Sequence, residues 1–91
     1  MASAVTREEI AAEMLRLVRL RGAGKSICPS EVARSLAPDG WRPLLSAVRQ
    51  VAAELALTGD LAILRKGKIV PPAEMRGVIR LGQPAPGNSG T

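Results

Sequence analysis

Cys28-Pro29-Ser30-Glu31-Val32-Ala33-Arg34-Ser35-Leu36, a turn at Ala37-Pro38-Asp39-Gly40, a long segment from Trp41 to Thr58, and then Leu61-Ala62-Ile63-Leu64-Arg65-Lys66-Gly67-Lys68-Ile69-Val70: this run decides how the chain folds. Pro29 suits the first turn of a helix, where its missing N–H is not needed. Val32, Ala33 and Leu36 then form the buried side of that helix. Asp39 can cap the helix that comes after the turn. This next helix is expected from about Trp41 to Thr58, with Pro43 tolerated in its first turn. Its core face is Leu44, Val48, Val51, Ala52 and Leu55, and Gly59-Asp60 ends it. The hairpin turns at Lys66-Gly67, where Gly67 allows positive φ. Helix, turn, helix and then a basic two-stranded flap is the order of a winged helix-turn-helix. The expected fold class is therefore α+β, a three-helix core plus a small antiparallel β-hairpin wing.

Working outward, Thr6-Arg7-Glu8-Glu9 has the spacing of a capping box. Ile10, Met14, Leu17 and Val18 form a single apolar stripe after it, and Arg16, Arg19 and Arg21 gather where the helix dipole favours cations. Gly22-Ala23-Gly24 stops this first helix, read over 7–21. Lys25-Ser26-Ile27 reads as an extended link, because residues before Pro29 avoid the α region, and it can pair as a third strand against the hairpin. Beyond the hairpin, Pro71-Pro72-Ala73-Glu74-Met75 interrupts the second strand, and Gly77-Val78-Ile79-Arg80-Leu81 resumes an extended run. The predicted organisation is a flexible N-terminus over 1–6, one domain over 7–81 and a disordered tail over 82–91. One core is expected from Met14, Leu17, Val18, Val32, Leu36, Trp41, Leu44, Val48, Val51, Leu55 and Ile63.

Composition narrows the chemistry. The 91 residues include no His, Tyr or Phe, one Cys and one Trp. There is no imidazole for proton shuttling near neutral pH, no His/Cys set for zinc, and no Ser-His pair for acyl transfer. The expectation is a protein that is not an enzyme and carries no metal or cofactor. Net charge is +5, which suits a polyanionic partner and equally suits a merely solubilising surface. The excess lies late in the chain, with Arg65, Lys66, Lys68, Arg76 and Arg80 set against Asp60 and Glu74. A lone Cys28 fits a reducing compartment, and neither a membrane span nor a secretory signal core is apparent. A cytoplasmic location and no membrane partner are expected.

On the third helix, Arg42, Ser46, Arg49, Gln50 and Ala53 share the face opposite the core. Arg suits guanine O6/N7, Gln suits adenine N6/N7, and Ser suits either, while a small Ala53 permits close approach to a groove. An ordinary solvated helix face carries the same residue types. Arg65, Lys66 and Lys68 surround the flexible Gly67 and suit phosphate or minor-groove contact. Lysines at a sheet edge also serve simply to block aggregation. Trp41 reads as packing at a helix start, with an indole N–H that needs a partner. Cys28, just before a helix, has the setting of a reactive thiol but no resolving Cys. Glu31 and Arg34 have the spacing of a local ion pair, and Glu31 could instead reach Arg42 or Arg49. Gly22-Ala23-Gly24-Lys25-Ser26 resembles a phosphate loop only superficially, since it comes after a helix and lacks the upstream Gly.

The blocks Ile27-Cys28-Pro29-Ser30-Glu31-Val32-Ala33-Arg34, Trp41-Arg42-Pro43-Leu44, Val48-Arg49, Gly67-Lys68 and Gly77-Val78-Ile79-Arg80-Leu81 together resemble a small bacterial family of uncharacterised winged-helix proteins over roughly residues 7–81. Leu45 stands where that family is expected to have Met, a volume-conserving change. The resemblance implies the winged-helix fold and no established activity. The leading functional expectation is a DNA-binding module that uses the third helix and the wing on duplex DNA. The alternative is a protein-interaction or dimerisation module, a homodimer or an acidic protein partner, without nucleic-acid binding. An RNA role is disfavoured by the lack of aromatic residues for stacking.

Overall fold

The computed structural model describes residues 5–84. Three helices, α1 (Arg7–Arg21), α2 (Pro29–Leu36) and α3 (Leu45–Leu57), combine with four short strands, β1 (Ser26–Ile27), β2 (Ala62–Arg65), β3 (Lys68–Val70) and β4 (Arg80–Gly82). All strand pairs are antiparallel, in the spatial order β1-β4-β2-β3. The architecture is thus α+β.

The first helix starts where Thr6 and Glu9 predict. The Glu9 N–H donates to Thr6 Oγ1 at 3.1 Å and the Thr6 N–H to Glu9 Oε1 at 2.9 Å, so two orphan amides are satisfied. Its stripe buries Ile10, Met14 and Val18, while Leu17 is half-buried. Gly22 ends the helix with φ 105, and its N–H bonds back to the Val18 carbonyl at 3.2 Å. In α2, the Glu31 carboxylate accepts the Cys28 N–H at 3.0 Å. Val32 and Ala33 are buried, and Leu36 packs at the margin.

The third helix differs from expectation at its start. Residues Arg42–Leu44 form a 3₁₀ turn, and α-helical geometry begins at Leu45. Pro43 lies inside that turn, where its missing N–H is one the helix does not use. No described side chain caps the start of α3, and Asp39 does not serve as its cap. The core face otherwise agrees with the periodicity, with Val48, Val51 and Ala52 buried and Leu44 and Leu55 partly so.

The link before α2 does become a strand, but its partner is β4, with Ser26 opposite Gly82 and Ile27 opposite Leu81. The other edge of β4 pairs with β2, with Ile63 opposite Leu81 and Leu64 opposite Arg80. The expected strand over 77–81 is therefore shifted: it begins at Arg80 and runs through Gly82, one residue into the expected tail. The remaining disorder expected at residues 1–4 and 85–91 lies outside the described residues. Val78 is 87% exposed, whereas Ile79 and Leu81 are buried.

The core is aliphatic throughout. Ile27, Ala33, Ala52, Leu61, Ile79 and Leu81 join the expected Met14, Val18, Val32, Val48, Val51 and Ile63. Trp41 lies at its edge, half-buried, because the 3₁₀ turn places it outside the α3 stripe. Between helices, Glu13 accepts from Arg16 Nε at 2.8 Å and from the Ser35 hydroxyl, tying α1 to α2. Arg7 pairs with Glu54, tying α1 to α3.

Ile63 is fully buried and Leu55 only partly. Ile63→Ala is accordingly expected to destabilise by about 2–5 kcal/mol and Leu55→Ala by visibly less, read from urea midpoints. The Arg16 guanidinium first, and the Ser35 hydroxyl second, hold the Glu13 carboxyl at about 2 against a weaker opposing effect of burial. The folded-state value lies below the unfolded one, so this contribution is complete above about pH 5 and fades as pH falls toward 2. Glu13→Gln should make stability less dependent on pH across that window, measured by thermal melts at several pH values.

Candidate nucleic-acid interface

The hairpin tip is set by local backbone chemistry. Arg65 and Lys68 are paired across β2 and β3, and between them Lys66 has φ 54 and Gly67 φ 80. Positive φ at both central residues is the type I′ geometry whose twist matches a right-twisted hairpin. Gly67 adopts it freely, whereas Lys66 is the only non-glycine residue with positive φ among the described residues. A side chain with Cβ in that region costs on the order of 1–2 kcal/mol, which Asn tolerates better. Lys66 and Lys68 are exposed and Arg65 is half-buried. Among the described residues none of the three forms an ion pair. Like charges placed opposite each other at Arg65 and Lys68 oppose hairpin formation, so this concentration of charge is not explained by stability.

The exposed face of α3 is less uniform than its helical wheel. Ser46 and Gln50 are exposed and make no hydrogen bond with another described side chain or backbone. Arg49 is half-buried and reaches across to the segment before β4, donating to the Gly77 carbonyl at 3.3 Å and the Met75 carbonyl at 3.4 Å. Arg42 is exposed but lies in the 3₁₀ turn rather than on the helix, with its guanidinium 4.6 Å from the centre of the Trp41 ring. The structure thus leaves Ser46 and Gln50 free on the helix, and engages Arg42 and Arg49 with the protein itself.

Arg34 is absent from the interface expected from the sequence, yet its guanidinium lies 4.4 Å from the same ring. Two cations held on one indole form a pre-ordered basic corner where α2 meets the start of α3. Two signals in the sequence point to it: an Arg in the last turn of a helix, and a sole Trp just past the next turn. The expected local pair between Glu31 and Arg34 does not form. Glu31 instead accepts from Arg21 at 2.5 Å. Burial pushes the Glu31 carboxyl up, but the Cys28 N–H, the Arg21 guanidinium and the charge of Arg80 outweigh it and leave it below the ordinary carboxylate value. Arg21 and Arg80 both donate to the Ser26 carbonyl, at 2.9 and 3.0 Å, and Arg80 also reaches Ser26 Oγ at 2.7 Å. These arginines fasten β1 to its neighbours.

Cys28 is half-buried and its sulfur accepts from the Ser30 hydroxyl at 3.1 Å. No group of His, Cys, Asp and Glu among the described residues is arranged to hold a metal. No described helix is long and apolar enough to cross a membrane.

The structural elements from α1 to the end of β4 coincide with the reach of a known protein family. Residues 7–84 match a family model described as a protein of unknown function, DUF3253. No curated protein matches the chain. The match takes in all three helices and the whole sheet, in keeping with the uncharacterised family expected from the sequence blocks, and the chain belongs to this DUF3253 family.

Proposed function

We propose that the chain is a winged-helix module that binds duplex DNA, with β2 and β3 as the wing and α3 as the reading helix. The observation that carries this reading is the hairpin tip, where Arg65, Lys66 and Lys68 have no acidic partner among the described residues and Lys66 keeps a cation in a backbone region that disfavours it. Three helices and then an antiparallel hairpin are the parts such a module needs, and α3 packs against β2. The wing then contacts phosphates and sets register, while Ser46 and Gln50 meet base edges. Arg42 and Arg34, held on Trp41, suit backbone contact better than base reading, since a guanidinium stacked on an indole is fixed in place. Arg49 serves the same site indirectly, by tying α3 to the segment leading into β4.

Affinity for nonspecific duplex is expected to fall with salt on a double-logarithmic slope of roughly −3 to −5, as for three to five phosphate contacts. Lys66→Asn separates folding from binding. Asn suits the turn, so the variant should unfold at a higher temperature, while losing affinity for all duplexes and flattening the slope. Gln50→Ala should instead remove preference at one base position, at about 1–3 kcal/mol, measured by competition between duplexes that differ there. Absence of binding to any duplex at tens of micromolar protein and low salt would overturn the DNA reading and favour the protein-docking alternative.

A further inference from the structure

The outer face of the sheet, turned away from the helices, contains a cleft of about 460 Å³ between the loop before β1 and the hairpin tip. Its apolar surface comes from Leu64, Ile69 and Val78, and cations line it at Lys25, Lys66 and Arg80. No acidic residue contributes to it. Ile69 is 55% and Val78 87% exposed, two of the four large hydrophobic side chains left in water among the described residues. The strand register explains why Ile69 faces outward: Leu64 is opposite both Ile69 and Arg80, one position out of phase with the inward row of Ile63, Val70 and Leu81. Gly82 keeps that floor open, because a Cβ there would come within 3.1 Å of the Lys25 carbonyl and 3.2 Å of Leu64 Cδ1.

We propose that this cleft binds a small amphipathic organic anion, an apolar chain or ring bearing one carboxylate or sulfonate. The volume falls in the range of small-ligand sites, which are mostly apolar with a few convergent polar groups. The charge selects the ligand: a neutral apolar body leaves Lys25 and Lys66 unpaired, and a second copy of this face sets six positive charges against one another. An anion placed with its head toward Lys25 and Lys66 covers Val78 and Ile69 with its apolar part. Arg80 is already committed to Ser26, so it adds field more than direct contact. The site shares Lys66 with the proposed wing, but its other lining residues, Lys25, Leu64, Ile69 and Val78, do not rest on the DNA reading.

The test uses the full chain with 8-anilinonaphthalene-1-sulfonate as a fluorescent probe and dodecanoate, below its micellar concentration, as competitor. Saturable one-site enhancement is expected, reversed by dodecanoate. Val78→Asp and Lys25→Glu, both at exposed positions, should each weaken it by about tenfold or more, equivalent to about 1.4 kcal/mol. Leu20→Ser, at another exposed hydrophobic residue, should leave it unchanged. Amide shifts on dodecanoate addition to the unmutated protein should be confined to residues 23–26, 64–69 and 78–84, which covers the case of a variant that fails to fold. Enhancement insensitive to Val78→Asp and Lys25→Glu, or amide shifts elsewhere, would overturn the proposal. So would binding to phosphatidylglycerol vesicles without binding to monomeric dodecanoate, which assigns the face to a membrane surface. A concentration-dependent dimer abolished by Val78→Asp would assign it to a second copy. Duplex binding is measured separately, so failure of either reading leaves the other standing.

Discussion

The rest of the structure depends on β4 lying between β1 and β2. A two-stranded hairpin is marginal by itself in water, and β1 has only two residues, too few to stand as a sheet edge unaided. By pairing on both sides, β4 turns these fragments into one sheet and delivers Ile79 and Leu81 to the core. Arg80, on the opposite face, bonds to Ser26 and locks the β1 edge. The hairpin thereby gains a rigid base, without which charged residues at its tip would have no fixed relation to the helices.

Around that base, six of the arginines divide into three groups by what neutralises or orients them. Arg7, Arg16 and Arg21 meet carboxylates and join helices or shape their ends. Arg49 bridges to backbone carbonyls, and Arg34 and Arg42 rest on Trp41. The hairpin cations meet none of these partners among the described residues. Among the cations of the proposed interface, the uncompensated ones therefore lie at the hairpin rather than on the face of α3, and this shifts weight toward phosphate contact and away from base recognition by arginine.

Much of the fold was legible in the sequence because its helices announce themselves through caps and periodicity. Thr6 and Glu9 mark the start of α1, and Val48, Val51 and Ala52 mark the inner face of α3. The beginning of α3 was not legible, since a 3₁₀ turn and an α-helical turn place Leu44 on nearly the same side. The short strands could be read as extended segments, but not which side chains they bury: two or three residues carry no measurable alternation, so Ile27, Ile79 and Leu81 were missing from the expected core. The hairpin tip could be read directly, from Lys66-Gly67 between apolar runs. The face of α3 could be read as a face, but a helical wheel says nothing of the Met75–Gly77 segment that crosses it and takes the Arg49 donors. Nor could it show that Arg34, from another helix, shares the Trp41 ring with Arg42. These are contacts between segments distant in sequence, set by the tertiary path alone.

Trp41 has a consequence of another kind. With no Tyr and no Phe in the chain, it is the sole strong near-ultraviolet chromophore. It sits outside the aliphatic interior, against two guanidinium groups where α2 hands over to α3. Emission from this protein is thus a local optical signal from one corner of the molecule. The sheet and most of the interior are dark to it, and their melting or occupancy has to be tracked through the backbone.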